Sequence, residues 1–212
     1  MFQTTNNFGL HKERKVSIMR IRTVLITLFV SVSLGCEMSL LNGPEASPRD
    51  KEIIIEDFDQ IKPLNWRIVN DNVMGGVSKS SLRFNYDKTA LFKGDVSLDN
   101  NGGFASARAY YGAGLDGISR ISIRVKGDGQ LYNFRVRTQE SYWASYSISF
   151  QTIPDEWVEF HFQLSDFAPT YRGYSLNRMP SLDQLAIREI GFMIADKQEG
   201  EFNLSLDWIK AQ

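Results

Sequence analysis

One cysteine and two histidines in 212 residues remove whole classes of chemistry before any motif is sought. With Cys36 alone there is no intrachain disulfide and no multi-cysteine zinc site. His11 belongs to the N-terminal segment, so His161 is the sole imidazole of the body, and it alternates with Phe160 and Phe162 on the polar face of a predicted strand. Such a residue is a surface histidine, and no Ser/His/Asp set, histidine metal cluster or phosphate-cradling loop ahead of a helix can be assembled. Basic runs are missing as well. Removing the five basic and one acidic residues of positions 1–36 leaves 19 Lys/Arg against 24 Asp/Glu, a body near −5. Phosphate neutralisation needs a basic stripe, which excludes DNA and RNA as expected partners.

Long apolar runs are also absent. The longest, Thr23–Leu34, has twelve uncharged residues, too few to cross about 30 Å of hydrocarbon as a helix. Arg20 and Arg22 precede it and Gly35-Cys36 follow, which is the layout of an export signal. The ending Ser33-Leu34-Gly35-Cys36 resembles a bacterial lipobox, although an aliphatic residue is usual where Ser33 stands. Cys36 is therefore the expected lipidation site, placing a membrane-anchored lipoprotein in the cell envelope, facing away from the cytoplasm. Each buried acyl methylene would contribute about 0.8 kcal/mol to such anchoring. Ordinary cleavage remains open, and so does a mitochondrial presequence, which the unbroken apolar stretch disfavours. Met19 opens a signal of conventional length, so either Met1 or Met19 is the start. Residues 37–51 carry Asn42-Gly43-Pro44 and Ser47-Pro48 and read as a flexible tether between the signal region (1–36) and a single domain (52–212).

Within that domain, period-two segments recur between Gly- or Asx-rich turns. Ile121, Ile123 and Val125 form one buried face; Tyr132, Phe134 and Val136 another; Tyr146, Ile148 and Phe150 a third. Val158, Phe160, Phe162 and Leu164, then Ile190, Phe192 and Ile194, then Phe202, Leu204, Leu206 and Trp208 continue the pattern. Many short strands without a long helical period predict an all-β fold, an antiparallel β-sandwich of jelly-roll type. Ser165-Asp166-Phe167 and the Ser181–Leu185 stretch fit single helical turns, the second with Ser181 suited to capping. Gly127-Asp128-Gly129 precedes no helix, and hairpin chemistry accounts for it.

Acidic residues are numerous, but nothing singles out a facing pair of the kind glycoside hydrolysis uses. Asp57, Asp59 and Asp207 lie near the two ends of the domain, which adjoin in many sandwiches, so a structural calcium held by oxygens there is conceivable, but no twelve-residue calcium loop supports it, and the expectation is no metal and no cofactor. The aromatics Tyr110-Tyr111-Gly112, Tyr142-Trp143 and Tyr171-Arg172-Gly173-Tyr174 fall in predicted loops or strand ends. They either close the sandwich ends over the core or offer rings to a sugar or a protein.

One run is far more specific than a turn: Asn70-Asp71-Asn72-Val73-Met74-Gly75-Gly76-Val77-Ser78, four residues after Trp66. Its Asx residues can hydrogen-bond nearby backbone, and its paired glycines allow positive φ or close approach of another backbone. The run resembles the W-x-x-x-N-D-x-V-M-G-G-x-S signature of the Complex I intermediate-associated protein 30 family, a jelly-roll domain related to galactose-binding-like sandwiches. Asn100–Arg108 is similar to that family's N-N-G-G-F-x-S-x-R segment. Lys126–Gly129 with Tyr132 and Arg137, Phe167–Pro169 with Arg172-Gly173, and Ile190–Phe192 through Asp196, Gly200 and Phe202 also fit, so the resemblance spans about Ile53 to Lys210.

The resemblance implies a noncatalytic, chaperone-like protein that binds a protein partner and assists assembly of a complex at a membrane surface. An exported lipoprotein stands across the membrane from the arm of a bacterial complex I, so fold and style of action carry over rather than that partner. The alternative is a carbohydrate-binding module of the envelope. By resemblance the binding residues are Asn70, Asp71, Met74, Gly75, Gly76, Ser78, Asn101, Gly102, Gly103, Arg108, Asp128, Tyr171 and Arg172. Convergence of the Asp71, Gly102-Gly103 and Tyr171 loops on one rim would define a site.

Overall fold

The computed structural model describes residues 52–141 and 143–212. The signal region, the tether, Cys36 and Tyr142 lie outside the described residues. Among the described residues there are thirteen strands, with a few short 3-10 turns between some of them. They are β1 (Ile53–Glu56), β2 (Trp66–Ile68), β3 (Lys79–Phe84), β4 (Ala90–Val96), β5 (Ala105–Leu115), β6 (Arg120–Lys126) and β7 (Leu131–Thr138). After them come β8 (Ser145–Gln151), β9 (Trp157–Gln163), β10 (Ala168–Tyr171), β11 (Tyr174–Ser175), β12 (Ile187–Ile194) and β13 (Gly200–Ala211).

One sheet runs β3-β4-β13-β6-β9, with β1 also on β13, and the other runs β11-β10-β8-β7-β12-β5-β2. All the strand pairings are antiparallel. This is the all-β jelly-roll sandwich that the period-two pattern predicts. The inner faces meet in an aromatic core in which the Phe192 ring lies 5.3 Å from Phe134 and 6.2 Å from Trp66. Phe92, Phe134, Phe192, Tyr132 and Ile123 have no exposed surface. Burying each such side chain contributes about 2 kcal/mol or more, which is why a chain of this modest length holds two sheets together.

Four local expectations change. Gly127-Asp128-Gly129 is no hairpin, because β6 and β7 belong to different sheets, and the segment is a corner that carries the chain from one layer to the other. Period-two reading puts Trp208 inside, but the pairing register of β13 on β6 shifts between Leu206 and Trp208. That bulge turns Ile209 into the core and leaves Trp208 half-buried beneath the Lys210 ammonium, 4.5 Å from the ring. Leu164 is core but belongs to a 3-10 turn (Leu164–Asp166) rather than to β9, and Ser181 starts the Leu182–Gln184 turn without a side-chain cap. At Ser181 a backbone bond from the Gln184 amide (3.1 Å) stands in place of the expected side-chain one.

Candidate binding site

Asp71 is the anchor of the signature loop, and it is wholly buried. Its carboxylate accepts the Ser78 amide (3.0 Å), the Ser78 hydroxyl, the Gly103 amide (2.7 Å) and the Phe104 amide (3.3 Å). Burial works to raise its pKa, but these bonds outweigh it and hold the carboxyl below its ordinary value. The Asn70 side chain continues the network, accepting from Ser80 Oγ at 2.7 Å, and Ser78 Oγ accepts the Ser97 amide at 3.0 Å. One carboxylate therefore joins two loops that lie 32 residues apart in the chain.

The two glycines divide the roles that sequence leaves open between them. Gly75 takes φ +96° with open space around it, whereas at Gly76 a Cβ would run into the Asp71 side chain. Gly102 is pressed in the same way, with Asp71 Oδ2 2.6 Å from where its Cβ would lie. The loop is thus packed around the buried acid, and it turns Val73 and Met74 outward, 68% and 57% exposed.

Those two side chains form one wall of a groove of about 510 Å³, together with Asn101, Gly102, Gly103 and Phe104. The opposite wall is Trp143, Tyr171, Arg172 and Gly173, so the Asp71, Gly102-Gly103 and Tyr171 loops do converge on one rim. Arg172 and Gly173 both have positive φ (49° and 82°), the backbone of a two-residue type I′ hairpin between β10 and β11. The hairpin presents Tyr171, whose ring meets Trp143 edge to face at 5.5 Å and Arg172 at 5.3 Å.

The floor is the outer face of the seven-stranded sheet. Registers place Arg67, Arg108, Gly191, Arg135 and Ser147 in one row across β2, β5, β12, β7 and β8. A neighbouring row holds Tyr110, Glu189 and Arg137. Glu189 serves both Arg67 and Arg137, the latter at 3.6 Å. Arg108 donates to Ser106 Oγ at 3.1 Å and Arg135 reaches Met193 Sδ at 2.8 Å, and among the described residues neither has a carboxylate partner. Burial first, then the nearby Arg137 and Arg135, lowers the Arg108 pKa to about 10, and burial with Arg137 lowers that of Arg135. The floor is a field of positive charge that one glutamate only partly offsets.

Of the residues carried over by resemblance, Met74, Asn101, Gly102, Gly103, Arg108, Tyr171 and Arg172 line the groove. Asn70, Asp71, Gly75, Gly76 and Ser78 shape the loop behind its wall. Asp128 is engaged elsewhere, accepting Tyr132 Oη (3.0 Å), the Gln130 amide (3.1 Å) and the Asn203 amide (2.8 Å) at the layer-crossing corner. Tyr110-Tyr111-Gly112 lies within β5 rather than in a loop, and Tyr174 is 77% exposed on β11. Sequence reasoning missed Arg135, Ser145 and Met193 as site residues and gave Arg137 and Asp196 no role beyond the family pattern. For Arg135, Arg137, Ser145 and Met193 the signal is outward placement on strands, which becomes a site only once strand order is known, and Asp196 lies in the turn after β12.

Other chemistry is sparse. His161 is exposed and 2.8 Å from Ser122 Oγ, Asp207 is paired with Arg124, and Asp57 and Asp59 accept backbone amides of their own turn. Among the described residues no group of three His, Cys, Asp or Glu is placed to hold a metal, and no helix is long and apolar enough to cross a membrane.

The profile of Complex I intermediate-associated protein 30 (CIA30) matches residues 56–206. The chain belongs to the CIA30 family. The CIA30 domain also resembles solved carbohydrate-binding modules. A family 11 module of the cellulosomal cellulase Lic26A-Cel5E of Clostridium thermocellum superposes with a TM-score of 0.56 at 18% identity, over 76% of this chain and 94% of that one. A Clostridium thermocellum family 11 module in complex with a β-1,3-1,4-mixed-linked tetrasaccharide gives 0.54 at 19%, with the same coverage. A family 29 module complexed with cellulohexaose gives 0.51 at 11%, over 78% and 93%. At such identities the likeness establishes the jelly-roll fold, and the family and fold together describe a binding domain.

Proposed function

We propose that this CIA30-family protein is a noncatalytic binding module of the cell envelope, held there by a lipid at Cys36, and that its groove takes an extended saccharide chain. The observation that carries the reading is the groove itself. It lies on the face of a sheet, has a polar floor of Arg108, Arg135, Arg137 and Ser145, and carries the half-exposed Trp143 and Tyr171 on one wall. A cleft with aromatic rings on its wall and hydrogen-bonding groups on its floor suits a polymer of sugar rings. The carbohydrate-binding modules of similar fold support this reading. The test is a glycan array followed by calorimetry on the folded protein. Trp143→Ala is expected to weaken binding roughly tenfold with stability unchanged. Absence of binding to every saccharide class would sink the proposal.

A second reading has its own support. Val73 and Met74 expose apolar surface on the opposite wall, and the family description points to assembly of a protein complex. On that reading the same groove holds a segment of a protein partner in a chaperone-like manner. Cross-linking from a Met74 position in native membranes, with recovery of one specific protein, would favour it.

A further inference from the structure

In the arginine row of the seven-stranded sheet, Arg67 is paired with Glu189, whereas Arg108 and Arg135 have no carboxylate partner among the described residues. Arg108 and Arg135 flank Gly191 in register, two strand spacings or about 10 Å apart at the backbone. Gly191 has no side chain to fill the interval, and a Cβ there would strike the Ala107 carbonyl at 2.6 Å. A small cavity of about 10 Å³ opens over it, bordered by Arg108, Arg135, Arg137, Ser145 and Glu189. That is room for about one oxygen-sized atom. The single carboxylate of the cluster, Glu189, is already engaged by Arg67 and Arg137.

Half-buried guanidiniums that repel one another raise the energy of the empty protein unless something relieves them. Guanidinium forks match the geometry of a carboxylate or sulfate, and such charge-assisted bonds are about twice as strong as neutral ones. Resting on the saccharide reading above, we infer that the groove selects an acidic saccharide, one of whose anionic groups sits over Gly191 between Arg108 and Arg135. Trp143 and Tyr171 then stack on the sugar rings alongside, so ring and charge are read at adjacent places in one groove.

The full-length protein is titrated with an oligogalacturonate, with the same oligomer after reduction of its carboxyls to alcohols, with a sulfated dextran oligomer and with an oligoglutamate peptide. The expected result is binding of the uronate or the sulfated oligomer, at least about tenfold tighter than the carboxyl-reduced form and weakened by salt. Arg135→Gln is expected to remove that preference while Arg135→Lys retains part of it. Equal affinity for the oligogalacturonate and its reduced form overturns the inference and leaves the saccharide reading standing. Binding of the oligoglutamate alone overturns both in favour of an acidic protein segment. The comparison of the two forms of one oligomer uses only the wild-type protein, so a variant that fails to fold does not blunt the test.

Discussion

Asp71 is the residue on which the signature loop depends, and the dependence is electrostatic. Its carboxylate accepts four hydrogen bonds, from the Ser78 amide and hydroxyl and from the half-buried Gly103 and Phe104 amides. Asp71→Asn keeps the size but replaces one acceptor oxygen with a donor facing donors, and is expected to cost about 3 kcal/mol in denaturant unfolding. Because the folded pKa lies below the ordinary 3.8, the carboxylate's contribution is fully present above that value. It is lost as pH falls through the folded pKa, so the wild type should lose stability below about pH 4 more steeply than the Asn variant. Parallel unfolding curves in acid would contradict this. The glycines offer a contrast at the same scale. Gly76→Ala is expected to destabilise by about 2 kcal/mol through a clash with Asp71, and Gly75→Ala by about 1 kcal/mol through its positive φ alone.

At the scale of elements, the β10–β11 hairpin is a small device that carries one wall of the groove. It lies at the edge of the sheet and its two-residue turn needs positive φ twice. Gly173→Val is expected to loosen the hairpin, lower ligand affinity about tenfold and change global stability by less than about 1 kcal/mol, since an edge ribbon contributes little core. Hydrogen exchange should rise in Thr170–Ser175 alone. If the whole sheet opens together, the hairpin is part of the cooperative core instead. The bulge in β13 acts at the same scale: one shifted register exchanges Trp208 for Ile209 in the core and defeats simple alternation.

Across the whole molecule, the two sheets differ in what they give to solvent. The seven-stranded sheet carries the arginine floor, with the signature loop along one side and the hairpin along the other. The proposed envelope role makes attachment through Cys36 testable. Cys36→Ser is expected to move the protein from the membrane to the soluble fraction on cell fractionation, and lipid-specific labelling should disappear with it. A wild type that carries no label and fractionates as the variant does would remove the anchor.

Except at the β13 bulge, alternation told which residues face inward, because a strand's side chains point to opposite faces by geometry. For that reason the sandwich, most of its core and the family resemblance were legible in the chain alone. So was the importance of the Asp71 and Gly102 segments, whose residue types are too demanding for ordinary turns. Sequence could not say that Gly75 needs its φ and Gly76 its emptiness, since the difference lies in what stands next to each. Nor could it assemble the groove. Arg108 was marked only by the family resemblance and Arg135 not at all; they come together on β5 and β7 only because β12 enters between those strands, and strand order is set by long-range packing that no local pattern encodes.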